Sequence, residues 1–266
     1  DHRDLHLSIR RQRQMCIRDS ILAFYKLPES LPEESRSSSE ASPLVQLQAT
    51  VSSISSVLKL PTISSLVVVN FLFLLGFTMM HGTFILFTSM EPESGGLGWS
   101  ERDNGWVFAF IGLLGVIIQG GLIGPLTRRY NLRGLMIVGT ALAGLGVASI
   151  PYAPAEFSWL IFGSCAGLAI GNGLYSPTQS SLLTFETKGG GFELGMVMGA
   201  QEGSGALARI IGPLLAASIW SVTVEGTGLW TFHTCFRVAG VFFFAALLLQ
   251  LRLRSSDGPG PDIGGN

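Results

Sequence analysis

Six stretches, at roughly 63–89, 105–127, 134–153, 158–183, 195–220 and 229–252, are apolar around their whole circumference. A helix that crosses a bilayer needs about 20 mostly apolar residues, and the stretches meet that length. Apolar and polar residues do not alternate within them, so strands of a membrane β-barrel fit poorly. Four of the five connections are short, which favours antiparallel neighbours in one bundle. The expected fold is therefore an all-α polytopic membrane protein, a six-helix bundle in a lipid bilayer. Only 13% of the 266 residues are charged, where soluble domains carry about 25%. A net charge of −1 supplies no global basic field for nucleic acid. Cys16, Cys165 and Cys235 are far apart, which fits neither a disulfide scaffold nor a zinc site. No cofactor or metal is implied, and no enzyme is expected.

Lysines and arginines set the orientation. If 26–60 is cytoplasmic, then Lys26, Arg36, Lys59, Arg128, Arg129, Arg133, Lys188, Arg252 and Arg254 all lie inside and Arg102 alone lies outside. Nine against one is a strong positive-inside bias. The loop 28–60 and the C-terminus are then cytoplasmic, as an even number of spans requires. Nothing in the sequence names the resident membrane.

The flanks read differently. Residues 1–20 are charged and lack an apolar period, and RRQRQMCIRDS resembles translated sequencing-adapter sequence. They read as an artefact or a polar tail. Residues 21–27 look like the end of a helix whose beginning is missing. Within 28–60, the Pro-, Ser- and Glu-rich part reads as flexible loop. Leu44, Leu47, Val51, Ile54 and Leu58 then recur at helical spacing, so 43–59 is an expected amphipathic helix on the membrane face. Residues 253–266 have little to bury and read as a disordered tail.

Polar residues inside the spans are expensive and commonly face a watery cavity or a protein interior. The first span carries Asn70 and His81, eleven residues apart and so nearly on one face. The second carries Gln119. The fourth carries Asn172, Tyr175 and Gln179 as one stripe, and the fifth Glu202 and Arg209 as another. The third and sixth show no such side if Arg237 snorkels outward. Four cavity-lining helices braced by two lipid-facing ones would produce this pattern. Small-residue spacing marks where helices touch in lipid. It predicts contact faces at Gly163, Gly167 and Gly171, at Gly195, Gly199 and Gly203, and at Gly120 and Gly124. Pro177 and Pro213 permit kinks.

Three runs carry a family resemblance. Phe24-Tyr25-Lys26-Leu27-Pro28-Glu29-Ser30-Leu31 resembles the exit of the sixth helix in the major facilitator superfamily, in its tetracycline-resistance-type branch of drug:proton antiporters. The run from Gly120 to Arg133 is similar to the second-half copy of that superfamily's loop signature. Gly120, Gly124, Arg129 and Arg133 fit it, while Arg128 stands where the pattern has Asp and Asn131 where it has Gly. Asn adopts the left-handed conformation more readily than most residues, so the second departure is mild. Gly205-Ala206-Leu207-Ala208-Arg209-Ile210-Ile211-Gly212-Pro213 resembles the eleventh helix. Its Gly212-Pro213 pair is the repeat counterpart of the antiporter motif. The resemblance implies the C-terminal half, helices 7–12, of a twelve-helix carrier. The implied partners are an N-terminal six-helix half, a small amphiphilic organic substrate and protons. Such carriers hold substrate at the midplane between two halves and rock about it.

Each polar residue has two readings. Glu202 lies about 10 Å from the cytoplasmic end of its helix. It is either a proton-coupling carboxylate, loaded and released by alternating exposure, or a hydrated group at the mouth. Arg209 lies deeper and does not readily deprotonate. It binds an anionic group, or is satisfied by carbonyls near Gly212 and Pro213 or by the other half. Contact with Glu202 requires both side chains to reach. His81 is a proton-exchange site or an interfacial hydrogen-bonding residue. Asn70, Gln119, Asn172, Tyr175 and Gln179 line a substrate path or bond between helices. Arg128, Arg129 and Arg133 fix topology, with gating implied by the resemblance. Two other classes compete. One is a non-transporting or homodimerising six-helix protein. The other is an intramembrane serine protease built on Ser204 and His233, although the expected Gly-x-Ser-Gly fails at Glu202.

Overall fold

A computed structural model describes residues 60–190, 194–224, 226 and 230–253. All belong to the larger of two compact units, Thr50–Asn266. The expected truncated helix at 21–27, the amphipathic helix at 43–59 and the tail from 254 onward lie outside the described residues.

Six long helices run through the described part. They are α1 (Pro61–Ser89), α2 (Glu101–Arg129), α3 (Leu132–Ser149), α4 (Leu160–Gly190), α5 (Leu194–Thr223) and α6 (His233–Arg252). They match the six apolar stretches in number and order. All but α4 meet the length and apolarity of a membrane span. The 31-residue α4 falls short because from residue 172 onward it holds Asn172, Ser176, Thr178, Gln179, Ser180 and Ser181.

Local chemistry sets the ends. Pro61 occupies the first turn of α1, where its missing N–H costs nothing. Ser100 and Asp103 form a reciprocal capping box at the start of α2, with the Ser100 N–H donating to Asp103 Oδ2 at 3.0 Å. This starts α2 four residues before the apolar stretch does. Asn131 Oδ1 accepts the Gly134 N–H at 2.6 Å and caps α3. Between α1 and α2 the chain turns through Gly95 (φ 89°) and Gly98 (φ 64°), a region that only glycine enters freely.

Helix α1 is the centre of the bundle, packed on α4, α5 and α6, while α3 packs on α4 and α6. The α3–α4 seam is backbone against backbone. A Cβ on Gly146 would lie 2.6 Å from both Leu168 N and Ser164 O, and one on Gly171 would meet Ala143 N and Gly139 O. Gly167 and Gly171 thus behave as their spacing predicts.

The other small-residue stripes do not. Among the described residues, nothing covers Gly163, Gly195, Gly199, Gly203, Gly120 or Gly124. The α1–α5 contact uses the next rotation of α5 instead, with Gly205 against Leu74 and Gly212 against Thr78. Four-residue spacing identifies a smooth face, and says nothing about what covers it. Helix α6 is likewise less apolar inside than expected. Its Gln250 is buried and donates to Thr140 Oγ1 at 2.8 Å, while Arg133 Nη2 donates to the Gln250 and Leu251 carbonyls at 3.1 Å. That clamp ties α3 to the end of α6, where carbonyls have no helical partner.

The two ends of the bundle differ in chemistry. All five tryptophans (Trp99, Trp106, Trp159, Trp220 and Trp230) lie at or near the end where α1 finishes and α2 begins. Arg128, Arg129, Arg133, Lys188 and Arg252 lie at the other. Trp is enriched at membrane–water interfaces, so the first end has the chemistry of an interface.

Candidate functional site

The polar stripe of α4 faces α1 in antiparallel register. Gln179 Nε2 donates to the Leu66 carbonyl at 2.8 Å. Tyr175 stacks on Phe73 with ring centroids 3.6 Å apart and planes within 9°. Asn172 lies opposite Phe77, in the wall of a cleft. Asn70, on α1, turns to α5 and donates to the Gln201 carbonyl at 3.3 Å. Thr78, two turns further along, donates to the Ala208 carbonyl at 3.1 Å. Asn70, Tyr175 and Gln179 are therefore buried between helices.

The cleft, about 70 Å³ in volume, lies between α1, α2 and α4. Phe77, Phe84 and Phe108 supply aromatic walls, and Leu168, Ala169 and Cys165 an aliphatic floor. Its polar groups are His81 and Asn172. The His81 ring lies 6.0 Å from Phe77 and 5.8 Å from Phe108, centroid to centroid, and is itself exposed. An apolar or aromatic group would gain dispersion contacts against these walls, and the imidazole and amide would orient one polar end.

Two of the residues singled out from the sequence sit elsewhere, on the open face of α5. Arg209 Nη2 and Glu202 Oε2 are 3.6 Å apart, with both side chains more than half exposed. Their seven-residue spacing is bridged because both side chains extend along the helix. They sit one residue beyond the Gln201 and Ala208 positions that meet α1, so they point about 100° away from that contact. Gln119 and Gly120 fall in a π-helical turn, Ile118–Leu122, within α2, a distortion frequent at functional sites. Gln119, Gly120, Gly124 and Arg129 are all exposed, as is Pro213.

Among the described residues, much of α2 and α5 is left bare. Only 11% of the apolar stretch of α2 and 22% of that of α5 is buried, against 56% for α1. Trp106, Leu113 and Val116 on α2, and Leu207, Ile210 and Leu214 on α5, are exposed. Ser204 donates to the Gln201 carbonyl within its own helix. It lies 19 residues before Thr223, about 28 Å along the helix, whereas His233 begins α6 at that far end. The two cannot act as a dyad.

Sequence reasoning did not single out Phe77, Phe84 and Phe108, because an aromatic residue within an apolar span carries no periodic signal. Gln201 and Thr78 were also passed over. Both lie on the α1–α5 seam that Gly205 and Gly212 mark.

The model of the Major Facilitator Superfamily matches residues 19–213. A mouse (Mus musculus) protein, "Major facilitator superfamily domain-containing protein 10", is 28% identical over 263 residues, covering 90% of this chain and 52% of its own. The Escherichia coli "Tetracycline resistance protein, class C" is 26% identical over 127 residues, covering 48% of this chain and 31% of its own. Among solved structures, a peptide transporter POT (E310Q mutant) in complex with sulfate superposes with a TM-score of 0.60 at 21% identity, covering 73% of this chain and 38% of its own. The chain thus spans about half the length of the mouse relative, and less of the other two.

Proposed function

The chain belongs to the Major Facilitator Superfamily, and on that footing we propose that it is the C-terminal six-helix half of a proton-coupled exporter of small amphiphilic organic molecules. Membership places it among integral, multi-pass membrane transporters rather than enzymes. The finer reading, a tetracycline-resistance-type antiporter, draws on the three sequence runs and on the Escherichia coli relative.

The observation that carries the substrate class is the lining of the cleft, which holds about 70 Å³ in this half and would be one wall of a larger site completed by the N-terminal half. Its walls are aromatic and aliphatic, and His81 and Asn172 are its polar groups. That lining suits an aromatic amphiphile better than a zwitterionic peptide, whose two charges would need paired partners. The bare faces of α2 and α5 are the surfaces on which an N-terminal six-helix half would pack. Glu202 and Arg209 lie on the α5 face, so closure of the two halves would bury them and opening would hydrate them. Proton binding to Glu202 would release Arg209 from the ion pair. In this reading the arginine-rich end is cytoplasmic, and Arg129 and Arg133 with Gly120 and Gly124 form the gating loop.

The full-length carrier in proteoliposomes tests this. Ethidium is the probe, and a pH gradient is the driving force. The wild type should accumulate ethidium against its gradient. The Glu202→Gln variant should lose accumulation while keeping downhill exchange. Accumulation that ignores the pH gradient in the wild type overturns proton coupling, and unchanged accumulation in the variant removes Glu202 from the coupling. Gradient-driven transport by the 266-residue chain alone would favour a homodimer of halves instead.

A further inference from the structure

Helix α2 is interrupted where Ile118–Leu122 winds as a π-helical turn, and the Ile123 N–H reaches back five residues to the Ile118 carbonyl. Pro125 supplies the cause. It has no N–H for the Gly121 carbonyl four residues earlier, and its ring crowds that carbonyl. A π-turn absorbs the crowding by placing one more residue in the turn. Gly120 and Gly121 stand inside it, and glycine is the weakest helix former after proline. Thr127 Oγ1 donates to the Ile123 and Gly124 carbonyls at 2.9 and 3.1 Å, a back-bond that often bends helices. These departures from a straight helix fall together, just beyond the cleft.

The two sides of the turn are held differently. Before it, α2 is anchored. Asn104 Oδ1 accepts the Thr88 hydroxyl at 2.7 Å, Val107 is fully buried, and Phe108 meets Phe84 edge-on at 5.8 Å. Ile118 is the last buried residue of the helix. It seats in a notch on α4 left by Gly173, where a Cβ would come within 2.8 Å of Ile118 Cγ2. Asn172, the neighbour of Gly173, lines the cleft, so this wedge stands at the arginine-end border of the cleft. Beyond the turn, Ile123–Arg129 buries none of its residues against the rest of the described chain.

We infer that α2 ends in a hinged arm. Ile118 in the Gly173 notch is the fulcrum, Gly120-Gly121 is the hinge, and Ile123–Arg129 swings to open or close the route between the cleft and the arginine end. This deepens the gating role proposed for that end, and rests on it for what the swing serves. Sharp kinks at prolines and π-turns exceed about 20°. Gly121 to Arg129 is eight residues, about 12 Å of rise, so a change of about 20° carries the tip through about 4 Å. The part of α2 that carries Phe108 and Ile111 stays still, and the aromatic walls keep their shape while the exit moves.

Pairs of spin labels on the full chain in lipid nanodiscs test this, with Cys16, Cys165 and Cys235 replaced by alanine. Arg128→Cys with Lys188→Cys reports the arm against α4. Gly112→Cys with Gly163→Cys, two positions that no described residue covers, reports the part of α2 before the fulcrum. Distances measured by pulsed electron resonance should spread about 4 Å more widely for the first pair than for the second. Gly120→Ala combined with Gly121→Ala, whose methyl groups meet nothing within 4 Å, should narrow the first pair to the width of the second. Ile118→Ala empties the notch and should widen the second pair as well. Thermal melting confirms that each variant is folded. Equal widths for the two pairs, a first pair indifferent to the alanines, or a second pair indifferent to Ile118→Ala overturns the arrangement. The distances are read without substrate or pH gradient, so an exporter that proves uncoupled leaves the hinge standing, and a rigid α2 leaves the coupling standing.

Discussion

Replacing Gly171 by valine should separate α3 from α4. The new Cβ would fall on the Ala143 amide nitrogen and the Gly139 carbonyl oxygen. These are backbone atoms, so no change of rotamer relieves the overlap. Overpacking a core costs about 1–3 kcal/mol when side chains can move, and here the helices themselves must part, so a loss of about 3 kcal/mol or more is expected. Melting of the purified chain in mild detergent reads it. Gly163 supplies the control. It stands eight residues earlier on the same apparent stripe but faces open space. Its replacement by valine should fall within about 0.5 kcal/mol of wild type. Equal effects at the two positions would show that the seam is not where the backbones meet.

Truncating Phe73 to alanine should be nearly as severe. Phe73 is fully buried and is the hub of three helices. It stacks on Tyr175 of α4 and meets Phe243 of α6 edge-on at 5.0 Å. In a soluble core, Phe→Ala costs about 3–5 kcal/mol from lost transfer and from the cavity left behind. In lipid the transfer part shrinks, because the surrounding tails are as apolar as the side chain. What remains is the cavity and the ring pair, so about 3 kcal/mol is expected. Phe73→Leu should recover part of it, and Phe157→Ala, at an exposed ring, should cost almost nothing. A melting temperature for Phe73→Ala equal to that of Phe157→Ala would deny the hub.

The helices were legible from the sequence because a membrane span needs a long apolar run, and little else produces one. The antiparallel order followed from short connections. The stripe Asn172, Tyr175 and Gln179 was legible as one face of α4, and it does lie along α1. Its surroundings were not legible. Periodicity shows which residues share a side, and whether that side meets water or another helix depends on chain that is distant in sequence. Gly195, Gly199 and Gly203 make the same point from the other direction, since their spacing is ideal for packing and the described residues leave them bare. Gln250 was missed because it sits beside Arg252 at a helix end, where a polar residue normally meets the interface. The aromatic walls of the cleft were missed because Phe looks alike against lipid, in a core and at a ligand.

The segregation of tryptophan to one end of the bundle has an optical consequence. Every indole in the chain sits near a single boundary of the bilayer, so ultraviolet emission is a one-sided signal. A water-soluble quencher added to sealed vesicles would dim it from that side and leave it bright from the other. Rearrangements among the arginines at the opposite boundary would pass unseen unless an indole were engineered there.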